Sequence, residues 1–165
     1  MMQVFSRPRI MAIIMCVLLA GCGPSGGDSE QAPAAREITR ENFVEAGDYV
    51  VHFNALATEM LPAEVARAYG IVRSDSRALL NVSVIRKQQG TIGKPVAASV
   101  TVNASNLTGQ LKTLSLRQIE EGDAIYYIGE MPVANRETLI FDIRVTPEGE
   151  QEPVSVRFRQ QFYTD

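Results

Sequence analysis

Few side chains in this sequence could do chemistry. His52 is the single histidine, and the only cysteines are Cys16 and Cys22. A nucleophile activated by an imidazole would have to use His52. It lies in "DYVVHFNAL" beside Asn54, on the face opposite Val51 and Phe53. The partners of a Ser-His-acid set can be far apart in sequence, but no Gly-x-Ser-x-Gly elbow presents a serine. One His with scattered carboxylates makes a poor zinc set, and His-Glu-x-x-His is absent. Gly90 to Lys94, "GTIGK", lacks the spacing and the Ser/Thr of a phosphate loop; with Pro95 following, it reads as a hairpin turn. Glu120, Glu121 and Asp123 cluster at a turn, where acids are usually solvated. These residues assign no catalytic group, no metal and no cofactor.

One loop offers recognition chemistry instead. "RSDSR" sets Arg73 and Arg77 on either side of Asp75, with Ser74 and Ser76 between them. Guanidinium forks suit carboxylate or phosphate groups, so Arg73, Asp75 and Arg77 are the candidate partner-binding residues. The competing reading is local: Asp75 and the serines bond the backbone of the turn, and the arginines are solvated or paired nearby.

Cys22 has its own context. Arg7 and Arg9 precede an apolar run, "IMAIIMCVLLA", from Ile10 to Ala20. The run falls short of the ~20 apolar residues that span a bilayer and matches a signal-peptide core. Leu19-Ala20-Gly21-Cys22 resembles the lipobox of bacterial lipoproteins. That resemblance implies cleavage between Gly21 and Cys22, a diacylglyceryl group on the Cys22 thiol and acylation of its amine. Gly23 in place of Asp implies sorting to the outer membrane. Two or more acyl chains anchor firmly where one gives reversible binding. With Cys16 removed and Cys22 alkylated, no thiol would remain free and no disulfide would form. The expected partners are therefore the membrane, through lipid, and an envelope protein on the periplasmic side. Asn81-Val82-Ser83, Asn103-Ala104-Ser105 and Asn106-Leu107-Thr108 fit the glycosylation sequon; beside a bacterial lipobox they read as chance.

The expected organisation is a leader over 1–21, a lipidated Cys22 with a linker over 22–36, and one domain over 37–165. "GPSGGDSEQAPAAR" is rich in Gly, Ser and Pro with no apolar period, and a flexible chain of that length spans about 20 Å. Losing the leader removes Arg7 and Arg9 and moves the formal charge from −3 to −5. That charge gives no electrostatic hold on nucleic acid or on an anionic surface. Sugar-binding sandwiches usually stack aromatics, and Trp is absent.

Past the linker the hydrophobic period is two. Leu80, Val82 and Val84 alternate with Asn81 and Ser83; Val96, Ala98, Val100 and Val102 repeat the pattern. Leu114 and Leu116 oppose Thr113, Ser115 and Arg117. "AIYYIGEM" follows, then Leu139, Phe141, Ile143 and Val145, and last Val154, Val156, Phe158 and Phe162. One polar face per run marks half-buried antiparallel strands. "GTIG", Glu121-Gly122-Asp123 and Pro147-Glu148-Gly149-Glu150 supply hairpin connections. About seven such strands predict an antiparallel, immunoglobulin-like β-sandwich, with a small closed barrel as runner-up. "MLPAEVARAYG" predicts one short crossover helix, with Pro62 at its start, Gly70 at its stop and Leu61, Val65 and Tyr69 on one stripe. It is expected over one end of the sandwich, inside the long connection Asn54 to Arg77.

The stretches "VHFNALATEMLPAEVARAYGIVRSDSRALLNVSV", "GKPVAASV", "LTGQLKTLSLRQIEEGDAIYYIGEMPV" and "FRQQFY" resemble DUF4426, a bacterial domain-of-unknown-function family. The resemblance implies a small exported β domain and supplies neither an activity nor catalytic residues. The expected function is a non-enzymatic envelope lipoprotein, an interaction or accessory module held at the outer membrane. The second reading is an enzyme or small-ligand binder with a site near the helix crossover and His52.

Overall fold

A computed structural model describes the chain from Ile38 to Thr164. The expectations for the leader, the Gly21–Cys22 cleavage, lipidation of Cys22 and the linker lie outside the described residues.

Ten strands form: β1 Phe43–Ala46, β2 Tyr49–Ala57, β3 Arg77–Arg86, β4 Lys94–Pro95, β5 Ala98–Asn106, β6 Leu111–Lys112, β7 Arg117–Glu121, β8 Ala124–Pro132, β9 Thr138–Pro147 and β10 Val154–Gln161. Between β2 and β3 lie a 3-10 turn, Thr58–Met60, and the helix α1, Ala63–Ala68. The larger sheet runs β1-β2-β3-β8-β7, with β4 also paired to β3; the smaller runs β10-β9-β5-β6. All strand pairs are antiparallel. The seven long strands β2, β3, β5, β7, β8, β9 and β10, lettered A to G in chain order, fall as A-B-E-D and G-F-C. That is the immunoglobulin arrangement. Among the described residues the ladders form two separate sheets, with a single parallel bridge from Thr39 to Phe158 on the β10 edge, so the fold is a sandwich and not the closed barrel.

The core is where the period-two faces meet. Val51 and Phe53 of β2, Leu80, Val82 and Val84 of β3, and Phe141, Ile143 and Val145 of β9 are buried. Phe158 of β10 stacks on Phe141 at 4.7 Å between ring centroids and meets Phe53 of the other sheet at 4.8 Å. Aromatic contacts of this kind add to the area they bury. Polar links tie the sheets at one end. The Ala98 amide donates to the Tyr127 hydroxyl (2.7 Å), and the Tyr49 hydroxyl donates to Glu150 (2.8 Å).

Three expectations need correction. "LKTLSLRQI" is not one strand. Leu111–Lys112 pairs with β5 in the smaller sheet, Arg117–Glu121 pairs with β8 in the larger, and residues 113–116 cross between them. Leu114 and Leu116 still turn inward. Alternating burial needs only extended backbone; a ladder needs a neighbour. The "GTIG" turn closes a hairpin onto the two-residue β4, and the next long strand, β5, lies in the other sheet. Gly93 is required there, because its φ is +88° and a Cβ would sit 2.6 Å from the Arg86 carbonyl oxygen. Finally, α1 does not cap an end of the sandwich. Ala66 and Ile71 pack on Leu79 and Ile128, outward-facing residues of the larger sheet. Hence Ala78, Leu79 and Leu80 are all buried in succession: both faces of β3 are covered there.

Candidate functional site

The outer face of the larger sheet carries a feature that joins α1 to His52. Leu61, Val65 and Tyr69 of the helical segment form one wall of a groove of about 250 Å³. Leu79, Ile119 and Ile128 form its floor. The wall is the predicted Leu61/Val65/Tyr69 stripe: Val65 and Tyr69 lie one helical turn apart, and Leu61 joins them from the extended chain that leads into the helix. The helix is held by the Ala66 amide donating to the Pro62 carbonyl (3.0 Å), and Gly70, at φ +62°, ends it. An Arg117 guanidinium N–H donates to the Tyr69 carbonyl, fastening β7 to the helix end. Above the groove, Glu121 accepts a hydrogen bond from the Tyr69 hydroxyl, and this bond, with some desolvation, raises the phenol's pKa above its ordinary value.

Asn81 closes the groove on the strand side and opens a second, polar cleft of about 180 Å³. Strand register builds this cleft. His52 stands opposite Ser83 and Asn54 opposite Asn81 across β2 and β3, and Asn81 stands opposite Ile128 across β3 and β8. Asn42 completes the lining. The Asn81 Oδ1 atom is buried without a hydrogen-bond partner. A buried amide oxygen left unpaired is costly, typically ~1–3 kcal/mol. A donor brought by a bound molecule would recover that cost. His52 is exposed, with the Phe43 ring 6.0 Å away. No hydrogen bond joins His52 to Ser83 or to a carboxylate among the described residues.

The RSDSR loop is turned inward on its own chain. The Arg73 guanidinium donates to the Glu59 carbonyl (2.7 Å), and Arg77 pairs with Glu130 at 3.3 Å. Ser74 Oγ donates to Asp75 Oδ1 (3.3 Å) and lies 2.8 Å from Ser76 Oγ. Thr58, fully buried, accepts from the Ser74 amide (2.9 Å) and donates to the Val72 carbonyl (2.8 Å). These bonds staple the loop to the end of β2. The loop and His52 are therefore separate features; the groove and His52 share Asn81.

Sequence reasoning did not select Asn81, Ser83 or the Tyr69–Glu121 pair. One signal was present. "ALL" in β3 and "IYYI" in β8 interrupt the period of two, and consecutive apolar residues imply a strand covered on both faces. Two other clefts are less telling. One of about 480 Å³ lies where residues 38–42 pass between β10 and β2. One of about 360 Å³, beside Tyr49, Glu150 and Glu152, lies at the far end of the sandwich.

The comparisons with known proteins agree with this architecture. Residues 43–165 match the family described as "Domain of unknown function (DUF4426)". The crystal structure of a DUF4426 family protein from Pseudomonas aeruginosa PAO1 is similar, with a TM-score of 0.64 and 36% sequence identity; the match covers 74% of this chain and 94% of that one. No curated protein matches the chain. With the family match spanning most of its length and the shared sandwich beneath it, this chain belongs to the DUF4426 family.

Proposed function

We propose that the chain is a bacterial envelope lipoprotein, anchored in the outer membrane through an acylated Cys22 and facing the periplasm. Its sandwich is a non-enzymatic interaction module that offers the α1 groove to a segment of a partner protein. The lipobox-like Leu19-Ala20-Gly21-Cys22 supports the anchor. The observation that carries the binding role is the apolar groove ending on the unpartnered Asn81 oxygen. At about 250 Å³ the groove is smaller than the ~300–1,000 Å³ typical of small-molecule sites. It suits a few apolar side chains of a peptide, with one backbone or side-chain N–H meeting Asn81.

A photocrosslinking side chain at Val65, in the groove, should capture one discrete partner in cells. The same group at Thr101, exposed on the smaller sheet, should not, and Asn81→Leu should abolish the Val65 adduct. Equal adducts from both positions, or none at Val65, sink the binding role. The anchor is tested separately by mass spectrometry of the mature N-terminus: an unmodified first residue other than Cys22 refutes it.

A small-ligand site is the second reading, favoured by the polar cleft in which His52, Asn54, Asn81 and Ser83 converge. It predicts that His52→Ala, and not a change at Val65, removes the binding of a small polar compound.

A further inference from the structure

We propose that the Glu121 end of the α1 groove receives a lysine or arginine side chain, so that the segment bound there carries a basic residue close to an apolar one. The inference rests on the binding role proposed above and names the chemistry of the segment.

Register builds this end of the groove. Alternate residues of a strand share a face, so Arg117, Ile119 and Glu121 lie on the outer side of β7, and Ala124, Tyr126 and Ile128 on the outer side of β8. Ile119 stands opposite Tyr126, and Glu121 stands opposite Ala124 at the Gly122-Asp123 turn. Tyr69 lies along β7 from the end of α1: its carbonyl accepts from Arg117, and its hydroxyl donates to Glu121. Two phenol rings, the Ile119 side chain and one carboxylate therefore gather at one end of the groove.

That set suits a basic side chain. Lys and Arg lay an apolar stem along apolar surface and keep the charged head at a polar rim. Aromatic faces attract the cation, and a carboxylate pairs with it. Glu121 is the only charged residue in the groove lining. It accepts a hydrogen bond from a neutral phenol, and no lysine or arginine pairs with it among the described residues. The nearby cations are directed elsewhere. Arg117 is bonded to the Tyr69 carbonyl. Arg67 is two residues from both Val65 and Tyr69, about 200° around the helix, and so lies on the side away from the groove. Arg86 and Lys94, paired at the neighbouring corner of the sheet, do not line it. The spacing follows from the floor. Ile128, under Val65, is two residues from Tyr126 along β8, about 7 Å. An extended segment with an apolar side chain over Ile128 sets the side chain two residues away over Tyr126, within reach of Glu121. The motif is apolar-x-basic, in either chain direction, with a backbone N–H left for the unpaired Asn81 oxygen.

The test selects a randomised peptide library, displayed on phage, against the mature chain and in parallel against Glu121→Lys and Val65→Ser. Glu121 is exposed, so its replacement leaves the fold intact, which a circular dichroism melt checks. The expected result is that the unaltered chain selects peptides with a lysine or arginine two residues from an apolar one. Those peptides should bind Glu121→Gln about three- to tenfold more weakly, the range for one exposed cation held by a carboxylate and aromatic faces. Glu121→Lys should select aspartate or glutamate at the same position. Selected peptides that need Val65 but show no basic residue, or that bind Glu121→Gln unchanged, overturn the basic site and leave the groove standing. A selection that yields no peptide, or only peptides indifferent to Val65→Ser, overturns the groove and the basic site together.

Discussion

Substituting Gly129 with alanine tests the crossover between the sheets at a single atom. Gly129 lies in β8 opposite Leu80, facing the core. Replacing a strand glycine with alanine ordinarily stabilises by about 0.5–1 kcal/mol, because the unfolded chain loses freedom. Here a Cβ would fall 2.4 Å from Leu114 Cδ1, 3.0 Å from Leu116 Cδ2 and 3.0 Å from the Ser115 carbonyl oxygen. Carbon atoms rest at about 3.5–4.0 Å, so the methyl overlaps Leu114 by roughly 1 Å. Leu114 can swing away, but the Ser115 carbonyl belongs to the backbone of the 113–116 crossover. Displacing that segment lifts two leucines partly off the core, in the range of about 1–3 kcal/mol typical of overpacking. Set against the entropic gain, the net loss is about 1–2 kcal/mol, and the melting temperature falls by roughly 3–8 °C. Urea and thermal unfolding followed by circular dichroism measure it. Leu114→Ala in the same chain opens space for the new methyl, so the double variant should lose less than the sum of the singles, by about 1 kcal/mol. A neutral or stabilised Gly129→Ala, or strict additivity, would show that the crossover does not rest on β8.

Lys112 and Glu137 form an ion pair at 2.7 Å, with side chains only 16% and 11% exposed. Burial acts to raise the Glu137 pKa, but hydrogen bonds from Lys112 and the Ala134 amide outweigh it and hold the carboxyl below its ordinary value. Its folded-state pKa is therefore the lower one, so its stabilisation is present above the unfolded glutamate value and is lost as pH falls through the folded value. Lys112→Met should cost about 1–3 kcal/mol at pH 7 and much less near pH 3, as measured by urea midpoints; a pH-independent loss refutes the pairing. Phe141→Asp places a carboxylate against Phe158 in the core and should abolish cooperative melting, while Arg159→Asp, exposed on the neighbouring strand, should shift the melt by less than ~0.5 kcal/mol. Similar tolerance of the two would reverse the strand phase. Glu121→Gln removes the carboxylate that raises the Tyr69 phenol's pKa, so alkaline absorbance titration should show one tyrosine moving to lower pKa. Tyr69→Phe must remove that same transition, or the assignment fails.

The elements themselves were legible in the sequence, because their causes are local. Val82 and Val84, or Phe141 and Ile143, face one side of their strands by backbone geometry alone, and Pro62 and Gly70 bracket a helix by their own φ preferences. Three short strands, β1, β4 and β6, were not legible, because so short a ladder exists only where a longer strand lies alongside. Nor did alternation at Leu114 and Leu116 reveal that residues 113–116 change sheets; extended chain alternates whether or not it is paired. The largest difference is at the site. The sequence singled out His52 for its chemistry and Arg73, Asp75 and Arg77 for their charge, each by residue type. Only register across β2, β3 and β8 sets His52 beside Ser83 and Asn81 beside Ile128, and only the packing of α1 on the outer sheet face makes a groove that ends on Asn81. Residue type and period are properties of a short window, whereas a shared surface depends on which distant strands become neighbours, and that is decided when the whole core closes.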